Sequence, residues 1–479
     1  MSYDCSFLEE FAVDCSFGDA DREHHAADWG AQARGTAVTP DAVVWPESTA
    51  EVSAVLAAAD ERGVPVTPYA AGTSLEGNAV PAHRGISMDV TRMDRVLEVR
   101  PSDFQADVGP GLLGDRLDEA LAEHGLFFPP MPASADISTV GGMIVNDASG
   151  MKTVRYGEVG DWVLGLEAVL ADGTVVQTGS RAKKSSAGYN LTDLLVGSEG
   201  TLAVVTRATV EVERQPAEVR GGRAVFGSLD DATSAIYEAL ASGVDVATIE
   251  LVDDVAARMA NAYNDTGLPD QPMVFFEFHG ARESAVEAEI AACREAFAAH
   301  GVERFDTAGE AEMADLWRAR REMAGALQAY EGDASPLHPG DVTVPISRYG
   351  DIIDYAKRLA AEHDVLVPCF GHAGDGNVHY AVFVDREDEQ QVALGEEIYG
   401  RIVRKAVEFG GTATGEHGVG LGKREFLELE HGESGVETMR RVKRSLDPND
   451  TLNPGKVFPG DRRRRAGAGR RGVTDGGGT

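Results

Sequence analysis

Residues 371–379, GHAGDGNVH, constrain the fold more than any other stretch of this chain. They join two apolar runs, VLVPCF and YAVFV, and place glycine at 371, 374 and 376, where the backbone can turn sharply without steric cost. Two readings fit. His372 and His379 can meet at one point and hold a cation with a carboxylate such as Glu416 of the later run GEHG, leaving His417 beside whatever the cation polarises. Alternatively, the stretch is a glycine-rich hairpin between two core strands, its polar residues facing water.

The rest of the chain narrows the function. Its 479 residues suggest roughly three domains of about 150 residues, or two larger ones. At 43% hydrophobic it can bury a core, yet no apolar run nears the roughly 20 residues that cross a bilayer. The acidic start MSYDCSFLEE has no basic region or long apolar core, so no secretory signal and a cytoplasmic location are expected. A net charge of -35 repels phosphate polymers and anionic lipid, which argues against nucleic-acid or membrane binding; an anionic substrate would need a local cation. The acidic surface is like that of proteins from salt-loaded cytoplasm. Cysteines 5, 15, 293 and 369 form no C-x-x-C pair, so neither an iron-sulfur cluster nor a disulfide framework is expected.

In chain order, residues 1–35 read as a polar arm with a short helix near 7–13. AVVWP is a strand, Thr49 caps a helix with Val52, Val55 and Leu56 on one face, and VPVTPY is a second strand. The loop PYAAGTSLEG (68–77) follows, with small residues and hydroxyls whose amides can converge on an anion such as a pyrophosphate; it equally fits an ordinary turn. It is neither a Walker loop nor G-x-G-x-x-G. The one literal G-x-G-x-x-G, at Gly467, Gly469 and Gly472, lacks a preceding strand and is dismissed. After a helix at 112–124 comes a long segment, 127–157, without secondary structure of its own, a length that points to function. A hairpin turning at Asp172-Gly173 covers 163–180. From about 214 strand and helix signals alternate, indicating a second, α+β domain. A helix over 310–330 carries Arg318, Arg320 and Arg321, which read as a solvated face. A strand at 341–346, a helix capped by Ser347 and a helix at 387–409 surround the opening nonapeptide. The end, DRRRRAGAGRRGVTDGGGT, reads as a disordered basic tail able to dock on an acidic surface.

PYAAGTSLEG, GGMIVNDASGMKTVRYG, KSSAGYNLTDLLVGSEGTL, GHAGDGNVH, GEHGVGLGK and LDPNDTLNPGK, in this order, resemble the flavin-dependent D-2-hydroxy-acid dehydrogenases of the vanillyl-alcohol oxidase (PCMH-type) superfamily, especially its group of D-lactate dehydrogenases (cytochrome) and glycolate oxidase D-subunits. The likeness spans about 40–459. It implies an α+β fold: an arm at 1–35, a two-subdomain FAD-binding domain at 36–213, an α+β (ferredoxin-like) cap and catalytic domain at 214–459, and the tail at 460–479. FAD is the implied cofactor, contacted by Ala71, Gly72, Thr73, Ser74, Leu75, Gly77, Pro132, Thr139, Gly142, Asn146, Ser149, Gly150, Tyr156, Glu199, Gly200, Val205 and Asn453. His372, His379 and Glu416 are the implied ligands of a divalent zinc or manganese, His417 the base and Arg320 the carboxylate anchor. In the D-2-hydroxyglutarate branch a lysine and an asparagine stand where this chain has Pro339 and Ala381, which favours a small monocarboxylate such as D-lactate or glycolate over hydroxyglutarate; a D-2-hydroxyglutarate or sugar-acid dehydrogenase is the alternative. An external electron acceptor is implied (quinone, cytochrome or electron-transfer protein), through which the protein could touch a membrane; an oligomer, or a role as flavin subunit of a larger oxidase, stays open.

Overall fold

The computed structural model describes residues 2–264, 266–309, 317, 318, 320, 322–330 and 334–460. Among the described residues, three main sheets with helices on their faces, and a two-stranded pair of Leu126–Phe127 with Glu213–Arg214, make an α+β architecture. In the first sheet Ala42–Trp45 and Val66–Tyr69 both lie parallel to Ile86–Asp89, which separates them, and Asp14–Ser16 adds an antiparallel edge. The helix Thr49–Arg62 buries Val52, Val55 and Leu56 against it; Ser48, not Thr49, caps this helix by accepting from the Glu51 amide at 3.3 Å. The second sheet is antiparallel, in the order Val96–Arg100, Gln105–Val108, Val204–Glu211, Val163–Val169, Val175–Gly179, and includes the expected hairpin at Asp172-Gly173.

The third sheet carries the site. Its seven strands are all antiparallel: Arg304–Gly309, Glu218–Val225, Met273–Gly280, Thr248–Val252, Cys369–His372, Asn377–Val384 and Ser335–Thr343. Side chains alternate between its faces. Ile249, Leu251, Cys369, Val378, Tyr380 and Val382 join a core with the helices Leu229–Ala241, Glu283–Ala299, Tyr349–His363 and Glu389–Glu408. Val252, Phe370, Ala381 and Phe383 share the other face and pack with the helix Asp254–Asn264. Within the core that holds Ile249 and Leu251, Phe276 is fully buried and stacks on Phe305 at 4.7 Å. Phe276→Ala is therefore expected to cost about 3–5 kcal/mol in denaturant unfolding. Tyr189→Ala, at a 96% exposed side chain, should shift the midpoint by less than about 0.5 kcal/mol.

Several expectations need correction. The first 35 residues are not a loose arm: Ser6–Glu10 is a 3-10 turn, Asp14–Ser16 joins the first sheet, Asp19–His24 and Trp29–Arg34 are helices, and Cys5, Phe7 and Leu8 are buried in the first core. Three residues of strand are too few for alternation to show in a sequence. Segment 127–157 contains two short helices, Val140–Asn146 and Thr153–Tyr156. The strand at 341–346 is Ser335–Thr343, and Ser347 sits in a 3-10 turn with no capping bond before the helix Tyr349–His363. Of the helix expected at 310–330, residues 310–316, 319 and 321, including Leu316 and Arg321, lie outside the described residues, as does the basic tail 461–479. No described helix is long and apolar enough to cross a membrane.

Candidate active site between the two domains

The stretch at 371–379 is a hairpin of two core strands and also a meeting point of histidines, and its polar residues do not turn to water as the hairpin reading had them: His372, Asn377 and His379 are buried. Gly376 has φ +87, and a Cβ there would fall 2.0 Å from the Val344 carbonyl oxygen, so only glycine closes this turn. Register does the rest. Glu250 stands opposite His372 and Asp341 opposite His379, all on the face that bears Phe370 and Ala381. The His372 and His379 rings are 5.1 Å apart and perpendicular.

Glu416 reaches them from the loop 412–420. Its Oε1 lies 3.5 Å from His372 Nε2 and 3.2 Å from His379 Nε2, and the three ligand atoms lie within 4.8 Å of one another. Two imidazoles and one carboxylate at this spacing fit a divalent cation that keeps open positions for substrate. His372 Nδ1 is 2.7 Å from Glu250 Oε1, which orients Nε2 towards the ligand point. Burial disfavours charge on both His372 and Glu416. Glu250 and Glu416 nevertheless hold the His372 proton well above its usual range, and His372 with His379 hold Glu416 well below its own.

One buried carboxylate positions the loop. Asp341 Oδ2 accepts from Thr414 Oγ1 at 2.9 Å and from the amides of Gly415, Glu416 and His417 at 2.8, 3.0 and 3.1 Å. Buried Lys423 donates to the Asp341 carbonyl at 2.7 Å, and Asn377 Nδ2 to Oδ1 at 2.6 Å. Ser149 Oγ donates to Glu416 Oε2 at 2.8 Å and Asn146 Nδ2 to the Glu416 carbonyl at 2.5 Å, so two residues expected to line the cofactor also brace the loop. Glu199 does the same, accepting from the amides of Val419 and Gly420 at 2.7 and 2.8 Å. His417 stacks on His379, with rings 9° from parallel and centroids 5.4 Å apart. Burial drives its imidazole down to about 4, reinforced by Lys423 and His379 and opposed by Asp341, so it is neutral near pH 7.

These groups lie in a cleft of about 1680 Å³. It is bounded on one side by Ala71, Gly72, Thr73, Ser74 and Leu75, then by Pro132, Thr139, Gly142, Asn146 and Ser149, with Glu199, Gly200 and Val205 behind. Arg320, His372, His379, Glu416 and His417 close it from the cap side. Such a volume exceeds what a drug-sized ligand needs and suits a dinucleotide. The cradle fits one: among the described residues, no amide of 71–75 has a hydrogen-bond acceptor, the arrangement of an anion nest. Four expected contacts do not line the cleft. Gly77 packs on Leu421, and Gly150 lies where a Cβ would meet the Met131 carbonyl at 2.3 Å. Tyr156 points to His279 Nδ1 at 2.8 Å, and buried Asn453 donates to the Asn78 and Glu199 carbonyls.

Arg320 is not solvated. It is 4% exposed, donates from Nε to Glu250 Oε2 at 2.6 Å and lies over the Phe370 ring. It still lines the cleft, while its Nε edge is tied to Glu250. Glu250 and Asp341 were missed as site residues, although a carboxylate between the apolar Ile249 and Leu251 is a visible signal for Glu250. His24, Asp28, Trp29 and Gln32, from the stretch expected to be an arm, also line the cleft.

Residues 215–457 match the family of FAD linked oxidases, C-terminal domain, and residues 40–179 match the FAD binding domain. The mitochondrial D-lactate dehydrogenase [cytochrome] of Arabidopsis thaliana is 38% identical over 424 residues, 88% of this chain and 74% of that one. Glycolate oxidase subunit GlcD of Bacillus subtilis is 36% identical over 431 residues, 89% of this chain and 90% of that one. Among solved structures, 4-ethylphenol oxidase from Gulosibacter chungangensis superposes with a TM-score of 0.75 at 19% identity, over 94% of this chain and 95% of that chain. p-Cresol methylhydroxylase superposes with a TM-score of 0.75 at 16% identity, over 92% and 93%. At such identities these two share the fold, which is of the PCMH type.

Proposed function

This chain belongs to the FAD-linked oxidases, and from that premise we propose that it oxidises a small D-2-hydroxy acid, D-lactate or glycolate, to the 2-oxo acid and passes the electrons to an external acceptor. The observation that carries the reading is the meeting of His372, His379 and Glu416 beside a neutral, largely buried His417 in the cleft. When bound, FAD accepts the substrate's α-hydrogen as hydride at N5, and a zinc or manganese ion lowers the pKa of the 2-hydroxyl.

The chain's own groups supply the rest. His417 takes the hydroxyl proton, because its imidazole is uncharged and held in place by the Asp341 contact to its amide. Arg320, kept in place by Glu250, offers the substrate carboxylate a cation on the cap side of the cleft. Pro339 and Ala381 face each other across adjacent strands and both line the cleft, giving a second carboxylate neither charge nor side-chain donor there. This supports a monocarboxylate over hydroxyglutarate. A purely structural flavin subunit has no use for the His-His-Glu group, which favours catalysis in this chain itself.

The test is anaerobic flavin reduction with a panel of acids. D-lactate or glycolate should bleach the flavin fastest, L-lactate should leave it oxidised, and D-2-hydroxyglutarate should lag. Fastest bleaching by D-2-hydroxyglutarate would overturn the monocarboxylate assignment, and no bleaching by any of them would overturn the enzyme.

A further inference from the structure

The helix Trp29–Arg34 precedes the residues matched to the FAD binding domain, yet it is built against the loop 71–75. The Trp29 amide donates to the Gly72 carbonyl at 2.8 Å and the Gly30 amide to the Ser74 carbonyl at 3.0 Å. Arg34 Nη2 donates to the Leu75 carbonyl at 2.9 Å, and its Nη1 reaches Glu76 Oε2 at 3.4 Å. Contact this close requires glycine at position 30, where a Cβ would fall 1.9 Å from the Leu75 carbonyl oxygen. The helix is itself fixed at several points. Buried Asp28 caps it by accepting from the Ala31 amide at 2.8 Å, Gly35 ends it at φ +66, and Arg386 of the cap donates to the Ala33 carbonyl at 2.9 Å.

A trans peptide sets its C=O and N–H on opposite sides, and no peptide bond here is cis. With the Gly72 and Ser74 carbonyls turned to the helix, the amides of Thr73 and Leu75 face away from it. Neither has an acceptor among the described residues. Asp28, Trp29, Gln32 and Ala33 line the cleft next to this loop.

We propose that the helix Trp29–Arg34 is part of the cofactor site: a strap that presets loop 71–75 so that the Thr73 and Leu75 amides receive the pyrophosphate of a flavin dinucleotide. The inference rests on the flavin reading above. Presetting lowers the ordering cost that the ligand would otherwise meet, so the strap acts on the pyrophosphate and not on the flavin ring.

The test titrates the deflavinated full-length protein with FAD and with riboflavin, which has no phosphate, following flavin fluorescence. Gly30→Ala breaks the two strap hydrogen bonds and is expected to weaken FAD by about tenfold or more while riboflavin binds as before. Arg34→Ala should act in the same direction more mildly, and it carries the test if Gly30→Ala does not fold. Unchanged FAD affinity in a folded variant, or equal losses for FAD and riboflavin, overturns the strap. A wild-type protein that binds neither ligand overturns the flavin reading, and the strap with it.

Discussion

His417→Gln is expected to leave FAD bound and to slow its reduction by D-lactate by about a thousandfold, the usual worth of a well-placed general base. The glutamine side chain fits the space and hydrogen-bonds, but it cannot take a proton. The two carboxylates nearest the imidazole do not replace it. Glu416 is held well below its ordinary range by His372 and His379 despite burial, and Asp341 is held low by Lys423, His417 and His379 despite full burial, so both are poor bases. Rapid mixing of enzyme and substrate without oxygen measures the rate; reduction at the wild-type rate would remove His417 from the chemistry.

Asp341→Ala is expected to do comparable damage without touching substrate. It strips the acceptor from three backbone amides, the Thr414 hydroxyl and the Asn377 amide at once, while Lys423 keeps the residue-341 carbonyl. Each buried donor left without an acceptor costs about 1–3 kcal/mol, so unfolding should shift strongly. Asp341→Asn is the informative companion: it keeps the volume and some acceptor capacity but loses the charge. It is expected to fold and bind FAD while losing both the bound cation and flavin reduction, because the amide positions of Glu416 and His417 set their side chains. Metal content by elemental analysis separates this from a purely structural effect. Full metal occupancy and full activity in Asp341→Asn would show that the loop holds itself.

How much of this was legible in the residues follows from what short patterns can encode. The hairpin at 371–379 and the GEHG run carry their chemistry in contiguous, glycine-spaced letters, and the fold brings those letters together as that spacing suggested. Glu250 and Asp341 owe their places to strand register, which a single sequence states only weakly: each becomes a site residue because its neighbour across the ladder is a histidine. Arg320, expected on a solvated face, is buried for the same reason, since its partner Glu250 lies far from it in sequence. Asn453 and Glu199 fell within motifs expected to touch the cofactor, but much of their polarity is spent joining distant chain segments. The first 35 residues looked polar because their apolar contacts, Phe7 and Leu8 among them, are few and lack a period.

The central claim, that imidazoles 372 and 379, carboxylate 416 and imidazole 417 act as one centre, is tested most directly by flavin reduction before and after removal of divalent cations. The purified protein with FAD bound is mixed anaerobically with D-lactate, once as isolated, once after exhaustive chelation, and once after zinc or manganese is restored. Bleaching should be fast, then absent, then fast again, with FAD retained throughout. Bleaching that is indifferent to the chelator would contradict a cation held by His372, His379 and Glu416 and leave the cluster without its proposed role.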